Sequence, residues 1–347
     1  MANIAGIAII HFSVISTLST YKKWSKFIVS LCWFLFCFLI LNIAIQLLPI
    51  SLGEFIFQKV SAYTDNTTNF SYVTLVESIQ NFPVFYPAAL PTMRNHGMAF
   101  LATLSFCICI SLLIFPEKIR EIGLKKYQVI IFGILCFTCI YFSYSRTSLI
   151  AVMMIIFVSA FFTKNKVVLI SFVFCISLLI ILFLSQEELK TFLIDLFRID
   201  LLEPEKIGGG REKIWELHSQ LFALKPITGW GWILPYEEFN YDLTTNPFSE
   251  SGVSFLLVTQ GLLRGSIYIS LMILAIVRNL VRGQKFFFHA LMCFFSIFLI
   301  LHFTLQGGLV GATSSIGTLS QVLLAIALYS EPAKIDNLNT KTGSFKP

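Results

Sequence analysis

The sequence predicts an all-α, polytopic integral membrane helical bundle with about nine transmembrane helices and one large helical external loop. Three observations lead there. Of the 347 residues, 56% are hydrophobic and 13% charged, whereas a soluble domain carries about 25% charge. Apolar runs of the length that crosses a bilayer, about 17–25 residues, recur along the chain. The basic residues between these runs cluster in alternate connections.

Nine spans are expected: 3–20, 27–48, 97–115, 127–144, 147–163, 167–184, 252–277, 286–305 and 308–329. The run from Tyr127 to Thr163, whose one charge is Arg146, requires a division. As one helix it would be about 55 Å long, against a hydrocarbon core of about 30 Å. Ser145-Arg146-Thr147 is the natural break, which puts Arg146 at a hairpin tip on a membrane surface. The segments 21–26, 117–126, 163–166, 278–285 and the tail 331–347 hold most of the 25 basic residues. By the positive-inside rule they are cytoplasmic. The loop 49–96, the Arg146 tip, the large loop 185–251 and the turn near Gln306 then face outward, as does the N-terminus. The whole chain, 1–347, reads as a single membrane domain.

The net charge of +6 follows from this topology and asks for no nucleic acid. Eight cysteines, among them Cys136 and Cys139 at redox spacing, fall within apolar runs. A disulfide framework would place them in loops. The first apolar stretch lacks a basic n-region and a small-residue cleavage site, so no cleavable signal peptide is expected.

Chemistry gathers outside. In the large loop, 185–201 reads as an amphipathic helix lying in the interface. "GGGREKIWELHSQLFAL" follows, with Ile214, Leu217, Leu221 and Leu224 on one helical face and His218 read as solvated. Three glycines before Arg211 at a helix start make an anion site plausible, since free N–H groups and the helix dipole add to the guanidinium charge. "KPITGWGW" (225–232) can let backbone approach a ligand or rest at the interface. The loop 49–96 ends by delivering Arg94 and His96 to the outer end of span 97–115. The acidic cluster Glu237, Glu238 and Asp242 lacks a histidine at metal-ligand spacing and reads as solvated loop; no metal and no cofactor is expected. Arg264, in the middle of its span, is either functional or a packing ion pair or snorkelling side chain. Arg146 can snorkel to headgroups or, with Arg94 and Arg211, offer planar donor forks to phosphate oxygens. Three such forks at a lipid surface suggest a lipid-linked phosphate or pyrophosphate.

The order of these pieces resembles the bacterial O-antigen ligase and polymerase superfamily. The matching segments are "RNHGMAF", "SRTSLIAVMMIIF", "GGGREKIWELHSQLFALKPITGWGW", "ESGVSFLLVTQGLL" and "GGLVGATSSIGTLSQVLLAIAL", over roughly residues 90–330. The resemblance implies a metal-independent glycosyltransferase of the bacterial inner membrane, working at the periplasmic face on an undecaprenyl-pyrophosphate-linked donor. It implies that Arg146 and Arg211 hold the pyrophosphate with help from Arg94. His96, Ser145, Trp215 and Trp230 are further candidates for substrate binding. Where the ligases have His-Asn before the next span, this chain has Glu250-Ser251. Glu250 becomes the candidate general base, since a partly desolvated carboxylate can have its pKa raised toward neutrality. That departure points to the repeat-unit polymerase, with the ligase as alternative and a lipid-linked sugar flippase as the alternative of another class. Lipid-linked oligosaccharides, membrane lipids and a chain-length regulator are the partners this reading implies.

Overall fold

A computed structural model of the chain describes residues 21–47, 54–56, 73–81, 88–90, 95–163, 211–231, 252–306 and 315–329. Among these residues the regular elements are all α-helices. They are α1 (Tyr21–Gln46), α2 (Leu75–Gln80), α3 (Asn95–Ile114), α4 (Pro116–Glu121), α5 (Lys126–Phe142), α6 (Arg146–Phe162), α7 (Arg211–Leu224), α8 (Gly252–Gly283), α9 (Phe287–Gln306) and α10 (Ser315–Tyr329). Four contain segments long and apolar enough to cross a membrane: Val29–Gln46, His96–Ile114, Gly252–Gly283 and Phe287–Leu305. Lys126–Phe142, Arg146–Phe162 and Leu319–Tyr329 are shorter apolar helices. The expected spans 3–20 and 167–184, the interfacial helix expected in 185–201, the Glu237–Asp242 cluster and the tail lie outside the described residues.

The run 127–163 does divide at the serine-arginine step, with α5 ending at Phe142 and α6 beginning at Arg146. The division removes the length conflict, because each half is 17 residues, about 25 Å of helix.

The chain forms two compact units. One comprises Leu18–Ser159 with Lys285–Phe298. Its centre is α3, packed against α5, α1 and α4. Phe36 stacks on Phe132 with centroids 4.8 Å apart, and Phe100 lies 5.1 Å from Phe298. Polar side chains on buried turns turn back on their own helix: Thr103 Oγ1 donates to Ala99 O and Ser111 Oγ to Cys107 O. Such i−4 bonds let hydroxyls sit in an apolar interior without an unmet donor. Cys107, Cys109, Cys136 and Cys139 are buried free thiols, small filler at a close helix contact.

The other unit comprises Ala160–Gln284 with Leu299–Ser330. Here α8 packs against α7 and α10. Asn279 Nδ2 donates to Ala275 O and to Ala327 O, at 2.7 and 2.9 Å, and so ties α8 to α10. Gln321 Nε2 donates to the Tyr268 hydroxyl at 2.6 Å. A Cβ on Gly252 would meet the Phe303 ring at 2.5 Å, so α8 and α9 touch where α8 has no side chain. Interhelical amide bonds and small-residue contacts of this kind hold apolar helices together where hydrophobicity alone cannot choose a partner.

Candidate active site

The Arg146 tip is built from short polar residues. Ser143 N–H donates to Cys139 O and Tyr144 N–H to Tyr141 O, closing the last turn of α5. Tyr144 then takes φ 53°, the left-handed position that glycine usually occupies after a helix. Ser145 caps α6: its Oγ accepts from Ser148 N–H at 3.4 Å and donates to Ser148 Oγ at 3.1 Å. Ser143, Ser145, Thr147 and Ser148 are buried, while Arg146 is half-buried. Ser145, a substrate-binding candidate from the sequence, thus spends its hydroxyl on the cap.

Arg146 is the first residue of α6. The positive end of the helix dipole opposes a cation there, and the first turn of α6 has no acidic residue. An anion held by the free N–H groups and the guanidinium together reverses that balance. The described part of α7 begins at Arg211, with Glu212 next in the chain. The two arginines belong to different units, and each is a feature of its own unit. Arg94 and Glu250 lie outside the described residues. His96 is exposed in the first turn of α3.

Around the tip, three chain segments are joined by one amide. Gln46, at the end of α1, is buried; its Nε2 donates to Ala89 O at 2.8 Å and its Oε1 accepts from Leu75 N–H at 2.9 Å. Ala88 N–H donates to Phe142 O and Ala89 N–H to Val73 O. Thr74 caps α2 in a reciprocal capping box with Glu77. The ends of α1 and α5 and parts of the segment 49–96 therefore meet at one end of this unit. A glutamine closing an apolar span was the available signal for this network.

In the other unit, α7 buries Ile214, Leu217 and Leu221, as its spacing predicts, whereas Leu224 is exposed. His218 corrects the sequence reading: it is buried, not solvated. Its place between Ile214 and Leu221 on one helical face was the overlooked signal. His218 Nδ1 lies 2.8 Å from Ser254 Oγ, which joins α7 to the first turn of α8. Its Nε2 is buried and makes no hydrogen bond. Burial brings the imidazole pKa down from 6.5 to about 4, so the ring is neutral at cellular pH. Trp215 is exposed.

The turn after α7 approaches protein rather than ligand. α8 is interrupted at Gly261, with φ 68° and ψ 179°. Trp230 N–H donates to Val258 O and Gly231 N–H to Thr259 O, while Pro226 O accepts from Leu262 N–H. Backbone groups released by the break are thereby satisfied within the protein, a requirement at membrane depth. A Cβ on Gly229 or Gly261 would fall on the backbone of the other strand of this contact. Trp230, half-buried, donates its Nε1–H to Leu221 O at 2.7 Å and lies under Lys225 Nζ at 3.9 Å. Its ring is a fixed wall of the turn.

These features define a helical membrane protein with an arginine at the serine-capped turn between two apolar helices and, after α7, a turn folded back on a broken span. Residues 131–263 match the family model described as O-antigen ligase, a region that holds Arg146, Arg211, Glu250 and the Gly261 break. The match supports the O-antigen ligase and polymerase superfamily that the ordered motifs resemble, and points to ligase- or polymerase-type chemistry on lipid-linked sugars. No curated protein and no solved structure matches the chain.

Proposed function

We propose that the protein is a repeat-unit polymerase of O-antigen or capsule type. It transfers a glycan from an undecaprenyl-pyrophosphate donor to the sugar of another lipid-linked repeat at the periplasmic face of the inner membrane. The observation that carries this reading is the match of residues 131–263 to the family, a region that holds Arg146 at the start of α6 and Arg211 in α7. An anion at the start of α6 is favoured by the helix dipole and the Arg146 guanidinium together.

The acceptor hydroxyl oxygen attacks the anomeric carbon of the donor, and the bond from that carbon to the pyrophosphate oxygen breaks. The bonding pair leaves with the pyrophosphate, and the hydroxyl proton passes to the Glu250 carboxylate. Arg146 and Arg211 meet the charge that develops on the departing oxygen, and Arg94 positions the group. Fixed cations suit this task, because stabilising charge on a leaving group is worth most where water is excluded. No metal is needed in this scheme.

Arg146→Ala and Arg211→Ala are each expected to abolish long-chain glycan while membrane levels of the protein stay normal. Unchanged ladders from both variants would refute the assignment. The ligase is the second reading, favoured by the family's own description. A null strain separates the two on one gel: polymerase loss leaves core capped with a single repeat, and ligase loss leaves bare core.

A further inference from the structure

Arg264 has no role in the scheme above, and the Gly261 break explains its position. The 32 residues of α8 make about 48 Å of helix, too long for one crossing of a core of about 30 Å. From Leu262 to Gly283 the length is about 33 Å, one slightly tilted span. Arg264 then stands in the first turn of that span, not at its middle. An uncharged stretch, 265–277, separates it from Arg278 and Arg282 at the other end.

Arg264 is exposed, and no carboxylate among the described residues pairs with it. Its neighbours Leu262, Leu263 and Ile267 are also exposed. The bond from Leu262 N–H to Pro226 O brings the 225–227 turn alongside, adding exposed Ile227 and Lys225. Lys225 is held over the Trp230 ring. No acidic residue occurs in 217–231 or 252–283, so neither the turn nor α8 supplies a countercharge to this patch. Apolar side chains, two cations on long stems and a tryptophan are the combination that settles at the boundary between headgroups and acyl chains.

We propose that Arg264 and Lys225 bind the phosphate of an anionic phospholipid in the leaflet on the α7 side, with its acyl chains along Leu262, Leu263 and Ile267. The site is separate from the transfer chemistry and does not depend on it. A polyprenyl pyrophosphate carries similar chemistry, and the test distinguishes the two.

Purified protein in detergent is titrated with phosphatidylglycerol, phosphatidylcholine or undecaprenyl pyrophosphate, and bound lipid is counted by native mass spectrometry. Phosphatidylglycerol should be retained over phosphatidylcholine. Arg264→Ala and Lys225→Ala should each weaken that retention about fivefold, the effect of one cation near a lipid surface, with Arg264→Lys in between. Arg146→Ala should leave it unchanged. The proposal falls if phosphatidylglycerol is held no better than phosphatidylcholine, if a folded Arg264→Ala protein retains it fully, or if undecaprenyl pyrophosphate alone displaces the bound lipid. Should Arg264→Ala fail to fold, Arg264→Gln and Lys225→Ala decide by the same criteria.

Discussion

Two of the places where the described helices turn or break with positive φ, the Tyr144 tip and the Gly229–Gly261 junction, are closed in opposite ways. At the Tyr144 tip the bonds that close the turn itself are local: Ser143 and Tyr144 reach back into α5, and Ser145 reaches forward into α6. At the Gly229–Gly261 junction the bonds join residues about thirty positions apart, Trp230 to Val258 and Gly231 to Thr259. Local closure leaves room for a side chain, so a tyrosine can adopt the left-handed conformation. The junction brings backbone against backbone and excludes any Cβ. The first place can be occupied by residues selected for what their side chains do, and the second must be occupied by residues that have none.

The largest effect should therefore come from Gly261→Ala and Gly229→Ala. Each substitution combines a disfavoured φ, about 1–3 kcal/mol, with overlap against backbone atoms that cannot swing aside. A loss of at least about 3 kcal/mol is expected, enough to deplete the folded protein from the membrane. Gly231→Ala is the internal control: φ is +78° but nothing lies within 4 Å of the added methyl, so strain alone, about 1–2 kcal/mol, should appear. Melting of the three detergent-solubilised variants tests the ordering. If Gly231→Ala is as damaging as Gly261→Ala, close backbone contact is not what the glycines are for.

This contrast also explains which parts of the molecule could be read from the sequence. The tip was legible because its cause is arithmetic: a run from Tyr127 to Thr163 is too long for one span, and serines around a lone arginine mark where it folds. The buried face of α7 was legible from the spacing of Ile214, Leu217 and Leu221. His218 on that same face was misread because a polar residue suggests solvent until its partner, Ser254, is known, and that partner is 36 positions away. The use of "GWG" was half-read. Its glycines announced a close approach, but nothing local says that the approaching backbone is α8, or that α8 is broken to receive it. Gln46 is similar, since its two partners, Leu75 and Ala89, lie 29 and 43 positions away, and the six residues of α2 are too few for a period to reveal them. As for the candidate site, the sequence offered arginines as residue types, and the fold added that Arg146 opens α6 behind a serine cap.

The His218–Ser254 bond sharpens the comparison, because it fastens α7 to α8 beside the junction and carries a titratable group that the tip lacks. Burial places the folded pKa at about 4, below the ordinary 6.5. Protonation therefore favours the unfolded state. Stability from keeping the ring neutral is complete above about pH 6.5 and is lost progressively as pH falls toward 4, with no further loss below. The depression corresponds to at most roughly 3 kcal/mol. Melting temperature measured from pH 7.5 down to pH 4 should fall more steeply for the wild type than for His218→Gln, which can still hydrogen-bond Ser254 but does not titrate. Parallel curves would mean that His218 is not desolvated and that the clasp contributes nothing pH-dependent.

The smallest effect belongs to the tip itself. A left-handed conformation costs an L-residue about 1–2 kcal/mol, which Tyr144→Gly removes. Glycine gives back about 0.5–1 kcal/mol through its freer unfolded chain, and the tyrosine's own contacts are lost as well. The net change should lie within about 1 kcal/mol of zero. Tyr144→Val should be the worse substitution, because a β-branched residue is poorly accommodated at positive φ. The same melting assay measures both, and the order decides the point. If glycine is strongly destabilising and valine is not, the tyrosine side chain, not the backbone turn, holds the tip. The division between a locally closed turn that tolerates side chains and a junction that forbids them would then have to be drawn elsewhere, since Tyr144 would be as tightly determined by its surroundings as Gly261.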